Sequence, residues 1–164
     1  HCYHKGDYKK ALECFEDLYE IYKKVYADNP NHPYIANTLN KIGLVYYYYK
    51  GDYDRALEYY EKSYEIRKLF YARNPNHPDI AHSLNNIGLV YKNKCDYNKA
   101  LEYLEKSYEI RKKFYANNSN HPDIAMSLKN ISLVYDRKGD YDKALEYLEK
   151  SFEIKKKVYA NNPN

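Results

Sequence analysis

Three copies of a His-Pro pair stand where acid–base chemistry would look for its residues. His77-Pro78-Asp79 and His121-Pro122-Asp123 place an imidazole two residues from a carboxylate, whereas His32-Pro33-Tyr34 keeps the histidine and lacks the acid. A single active site has no use for three copies, one without its carboxylate. No Ser/His/Asp or Cys/His arrangement has a second member to orient it, and no glycine-rich phosphate loop appears. His1, Cys2 and His4 are all metal-ligand types, but they align with Tyr46–Lys50 of the next copy, where no ligand recurs. The expectation is therefore no enzyme, no catalytic residue, no metal site and no cofactor.

Composition narrows the partners. The 164 residues include 27 Lys and Arg against 23 Asp and Glu, a net charge of +4. Nucleic-acid tracking needs clustered positive charge rather than a small excess. The basic runs Arg111–Lys113 and Lys155–Lys157 have Glu109 and Glu153 beside them, so they read as solvated helix faces and no nucleic-acid partner is expected. Cys2, Cys14 and Cys95 are odd in number and lack metal or redox spacing, which suits free thiols in a reducing compartment. No apolar run approaches the ~20 residues of a membrane helix, and no signal peptide opens the chain. A cytoplasmic protein with no membrane partner is expected.

The recurrence of His-Pro is part of a longer repeat. Gly-Asp-Tyr or Cys-Asp-Tyr begins at Gly6, Gly51, Cys95 and Gly139, and the first interval is one residue longer than the others, the extra residue lying among Tyr46–Lys50. The repeats are 30–74, 75–118 and 119–164, preceded by a partial one over 1–29. Within a repeat, Pro78 suits the first turn of a helix and Asp79 meets its positive end. Ile80, Leu84, Ile87 and Tyr91 form a buried stripe beside the small Ala81 and Gly88. A second helix buries Tyr97, Ala100, Leu101, Leu104 and Tyr108, and is expected to end near Asn117. Its outer face offers the i,i+4 pairs Glu102–Lys106 and Glu109–Lys113. One such hairpin buries too little to order ~44 residues, so neighbours must stack. The predicted fold is all-α, an array of antiparallel helix pairs with about seven helices.

Leu84-x-x-Ile87-Gly88-x-x-Tyr91, Cys95-Asp96-Tyr97 and Ala100-x-x-x-Leu104 resemble the tetratricopeptide repeat. The pattern returns as Leu39, Ile42, Gly43, Tyr46, Ala56 and Tyr60, and as Leu128, Ile131, Ser132, Tyr135, Ala144 and Leu148. The period is about ten residues longer than the usual 34, and Leu replaces the expected Trp. Longer helices, HPDIA and SLNNIG resemble the kinesin light chain subclass. The resemblance implies a right-handed superhelix whose first helices line a concave groove that receives extended peptides. It carries backbone-holding amides onto Asn40, Asn85, Asn86 and Asn130, with Lys41 and Lys129 standing in for Asn in two repeats. Flanking groove positions would be Asn37, Leu44, His82, Leu89, Lys92, Asn93, Met126, Leu133, Asp136 and Arg137. Leu44, Leu89 and Leu133 occupy positions where chaperone-tail clamps carry Asn, which argues against that ligand.

The expected function is a scaffold that binds peptide segments of partner proteins in a concave groove. Amides offer donors and an acceptor to a peptide backbone. The second reading is a self-assembling structural array that interacts through its end faces, as an end-to-end homo-oligomer. No polar capping helix is visible at either end, so a fragment of a longer array is expected. Tyr47–Tyr49 are expected as additional aromatic surface.

Overall fold

The computed structural model describes residues 5–161, so His1, Cys2 and His4, like Asn162–Asn164, lie outside the described residues. Among those described there are seven α-helices and no strand: α1 (Lys5–Val25), α2 (Pro33–Val45), α3 (Tyr53–Phe70), α4 (Pro78–Asn93), α5 (Tyr97–Phe114), α6 (Pro122–Lys138) and α7 (Tyr141–Asn161). A π-helical turn, Tyr46–Lys50, follows α2. Two compact units are formed, His1–Arg73 with α1 to α3 and Asn74–Asn164 with α4 to α7.

Each first helix of a repeat starts in the same way. His32, His77 and His121 are N-caps in extended conformation with proline next in line. Each imidazole Nδ1 accepts the backbone N–H two residues on, at 3.2 Å. A free helical N–H is satisfied in this way, and proline has none to satisfy.

The turn between first and second helices is also built once and repeated. In the second unit, Asp96 N–H donates to Tyr91 O and Asp140 N–H to Tyr135 O, both at 3.0 Å. The residues just before these aspartates, Cys95 and Gly139, are left-handed, with φ of 62° and 84°. This is the αL helix end in which a far N–H bonds back to an orphan carbonyl. Asp96 and Asp140 then cap the following helix through Oδ1, accepting from Lys99 N–H and Lys143 N–H. In the first unit Asp52 N–H still reaches Tyr46 O at 3.0 Å, across one more residue, and Gly51 is left-handed. The extra residue is absorbed by widening the last turn into the π-helical Tyr46–Lys50. Tyr46, Tyr91 and Tyr135 stack on Tyr59, Tyr103 and Tyr147 at 5.5–5.6 Å. Arg55, Lys99 and Lys143 sit over the three first-helix rings, 5.1–5.4 Å from their centroids.

Each helix pair is antiparallel and close. Ser63 Oγ donates to Ala36 O at 2.8 Å, and Ser107 and Ser151 donate to Ala81 O and Ala125 O at 2.7 Å. A methyl added at Gly88 would stand 2.7 Å from Leu104 Cγ, and one added at Gly43 would stand 2.8 Å from the Tyr60 ring. The expected stripe is buried at Ile80, Ala81, Leu84, Ile87 and Gly88, with Tyr91 half-buried. Ala100, Leu101 and Leu104 of α5 are buried too.

Two local expectations are corrected. The fifth helix stops at Phe114 rather than near Asn117, because Tyr115 leaves the helix to stack on His121 at 3.5 Å. Glu109 pairs with Lys112 at 3.4 Å, one step short of Lys113, while Glu102–Lys106 forms as expected. Among the described residues no helix is long and apolar enough to cross a membrane.

Two substitutions of opposite sign follow from the backbone. Gly88→Ala brings better helix propensity but drives a methyl into Leu104, and should lower stability by about 1–2 kcal/mol. Cys95→Gly relieves a β-carbon in the left-handed region and should raise stability by about 0.5–1 kcal/mol. Urea unfolding midpoints would measure both. A midpoint raised by the first or lowered by the second would refute the corresponding reading.

Candidate peptide-binding surfaces

The His-Pro-Asp segments are fully engaged in capping and packing. In the second unit His121 lies flat on Tyr115, 7° from parallel, while its Nδ1 accepts from Asp123 N–H. The Asp123 carboxylate sits 3.9 Å from that nitrogen and takes the Tyr115 hydroxyl hydrogen at 3.2 Å. Burial, then the charge of Asp123, pushes the Tyr115 hydroxyl pKa up. An imidazole whose lone pair holds a backbone N–H is not placed as a general base. Among the described residues, no three His, Cys, Asp or Glu side chains converge as metal ligands would.

In the second unit the candidate residues divide by depth. Asn85, on α4, is only 5% exposed, yet it is polar along its whole reach. Its Oδ1 accepts the Asn130 Nδ2 hydrogen at 2.8 Å, joining α4 to α6. The buried Asn85 thus holds the half-exposed Asn130 amide in place. One hydrogen bond uses one of two donors on Asn130, so capacity for a backbone group is retained. Around it, Lys129, Met126, Leu133, Asp136 and Arg137 are exposed on α6, and His82 is exposed on α4. Asn86, Leu89, Lys92 and Asn93 are half-buried on α4. Burial, reinforced by the Arg137 charge, draws the Lys92 pKa below the ordinary lysine value. A carboxylate arriving there would meet the partly desolvated Lys92 ammonium and the exposed Arg137.

In the first unit Asn37, Asn40 and Lys41 come together on one side of α2. With Tyr34, Arg67 and Tyr22 they line an open cavity of about 360 Å³ that no carboxylate enters. Asn37 Oδ1 accepts from Arg67 Nη2 at 2.7 Å. Asn40 is buried, Lys41 is exposed with its ammonium 5.5 Å from the Phe15 ring, and Leu44 is exposed.

Two residues that matter to these surfaces were not singled out. Arg67 and Arg111 occupy the same register in α3 and α5 and are 4% and 2% exposed. Arg111 therefore departs from the solvated face expected of its run, while Lys112 and Lys113 are exposed as expected. Arg111 Nη1 donates to Ser127 Oγ at 2.8 Å and to Asp123 O at 3.3 Å, tying α5 to α6. Burial pulls its pKa down. The available signal was the choice of Arg over Lys at one register in two repeats, since a planar fork suits buried hydrogen bonding.

Comparison with known proteins places this arrangement. The tetratricopeptide repeat matches residues 1–68, 71–113 and 115–157. BtubC (BKLC) from P. vanneervenii superposes with a TM-score of 0.77 at 24% identity, covering 97% of this chain and 61% of that one. Nearly identical TPR-like repeats assigned to a kinesin light chain of Podosopora anserina give 0.52 at 19%, covering 93% and 89%. The apo form of RapI gives 0.57 at 25%, covering 91% and 57%. The chain thus spans less than two thirds of BtubC. No curated protein matches it in sequence. It has the all-α repeat fold of these structures, with the long repeat of the kinesin-light-chain-like kind. The chain belongs to the tetratricopeptide repeat family, whose repeats mediate protein–protein interaction.

Proposed function

We propose that the protein is a non-catalytic scaffold whose first helices bind extended peptide segments of a partner protein. The observation that carries this reading is the Asn130–Asn85 hydrogen bond. It fixes an amide at the surface between two apolar side chains, Met126 and Leu133, both more than a third exposed. An extended peptide presents backbone donors and acceptors along its length and side chains to alternating sides. A fixed amide beside small apolar patches answers both.

The cations set the sign of the preferred peptide. In the second unit Lys92 feels the charge of Arg137, and the cavity of the first unit is lined by Lys41 and Arg67 without an acid. Acidic side chains among the bound residues fit this electrostatics. The partner is then a protein segment, with no nucleic acid and no membrane involved, and the setting is cytoplasmic.

A peptide-display selection against the chain, run beside an Asn130→Ala/Leu133→Asp version, tests the reading. Asn85 is left intact because its burial makes it a folding residue. The parent should enrich a motif containing Asp or Glu, and the double substitution should weaken its binding by at least about tenfold. Lys92→Gln should weaken acidic peptides several-fold, about 1 kcal/mol, and leave their neutral amide analogues unchanged. Enrichment of nothing, or of peptides indifferent to these changes, would sink the proposal.

A further inference from the structure

Within the first unit, Tyr19 of α1, Leu39 of α2 and a stripe of α3 frame an open cavity of about 510 Å³. Leu39, only 1% exposed, is its floor, and Ile66 and Leu69 give α3 an apolar wall. Glu58, Glu61 and Glu65 line the same wall, with Lys62 the one cation among the described lining residues. Lys62 is already tied to Glu58 at 2.6 Å, and Lys68 reaches Glu65 at 3.3 Å. Glu61 lies beside Glu65, and burial, then that neighbour's charge, pushes its carboxyl pKa up. The groove is thus acidic in a chain whose net charge is +4. The register of α3 recurs in α5 and α7 and isolates one residue. Glu105 and Glu149 match Glu61, and Glu109 and Glu153 match Glu65. Where α3 has Leu69, however, α5 and α7 have Lys113 and Lys157, both exposed. Leu69 is an apolar side chain, 58% exposed, at a place its counterparts give to lysine.

We infer that this groove binds a basic amphipathic α-helix of a partner protein, with Lys or Arg over Glu61 and Glu65 and an apolar side chain over Leu69. Those three residues are four apart in sequence, so they climb α3 in steps of about 6 Å. A helix lying along α3 repeats that rise at its own i, i+4 and i+8 positions and meets all three in register. A cation between Glu61 and Glu65 offsets the repulsion that the two carboxylates exert on each other. Covering Leu69, Ile66 and the Tyr19 ring removes apolar area from water. The same carboxylates repel an acidic segment. The groove shares no lining residue with the cavity of Asn37 and Lys41, and it selects the opposite charge. The two surfaces are therefore independent.

The probe is a labelled synthetic Ala-based helix, about four turns long, with Lys, Lys and Leu at successive i, i+4 and i+8 positions. Fluorescence anisotropy follows its binding to the whole chain at low salt. Because the chain is positively charged overall, its long-range field opposes a basic peptide, and saturable binding reports a local acidic site. Dissociation constants on the order of 10–100 μM are expected, weakening several-fold as salt rises. Leu69→Lys installs the residue found in α5 and α7. It should weaken binding at least about tenfold, while circular dichroism and the unfolding midpoint hold. Glu61→Gln/Glu65→Gln should weaken it about fivefold, and an analogue with Glu in place of Lys should not bind. The assignment is overturned by no saturable binding up to about 1 mM, by equal binding to the parent and either variant, or by equal binding of the Glu analogue. Peptides selected on the Asn130 surface should be indifferent to Leu69→Lys, so failure of either proposal is read separately.

Discussion

A serine hydroxyl inserted between two helices sets the spacing on which the rest of each repeat depends. Ser63, Ser107 and Ser151 each donate to an alanine carbonyl of the preceding helix, and those alanines, Ala36, Ala81 and Ala125, have no exposed surface. Such a bond needs backbone and side chain in near contact, and only small residues allow it. Once the approach is set, Gly43 and Gly88 must be bare to admit Tyr60 and Leu104. A helix pair held this closely has a rigid back, so that polar residues on the far side of the first helix stand at fixed positions. Preorganised side chains lose less entropy on binding than mobile ones.

How much was legible depended on the residue. The apolar period of α4 placed Ile80, Leu84 and Ile87 in the core correctly because burial of a stripe is a property of spacing alone. The insertion among Tyr46–Lys50 could be located by counting, but not its solution, since a π-helical turn leaves no compositional mark. The histidine caps escaped because Ser, Thr, Asp and Asn are the usual capping residues, and nothing local says that an imidazole will take that part. The depth of Asn85 left no mark in the sequence, and that of Arg111 only the choice of Arg over Lys at its register. A polar residue is read as exposed unless its partner is known, and here the partners, Asn130 and Ser127, lie 45 and 16 residues away. Long-range pairing is the information that periodicity omits.

Electrostatics give the two kinds of surface different characters. The first-helix residues combine amides, modest apolar side chains and cations, of which Lys92 is partly desolvated. One face of α7 instead carries the exposed Leu145, Leu148 and Phe152, with Lys129, Glu149, Glu153 and Lys155 beside them. At the proposed peptide surface, affinity should fall as salt screens the cations.

The π-helical turn has a consequence for how such repeats vary in length. The hydrogen bond from Asp52 to Tyr46 and the stacking of Tyr46 on Tyr59 survive with one residue more than their counterparts have. The joint is therefore held by two anchors, a tyrosine carbonyl and an aspartate amide, and the turn between them takes one more residue. The insertion is absorbed locally: Tyr48 is exposed, and Tyr49 stacks on Tyr8 at 3.5 Å. Repeat length can therefore differ by one residue at this point while the aspartate–tyrosine bond and the ring stack are both kept.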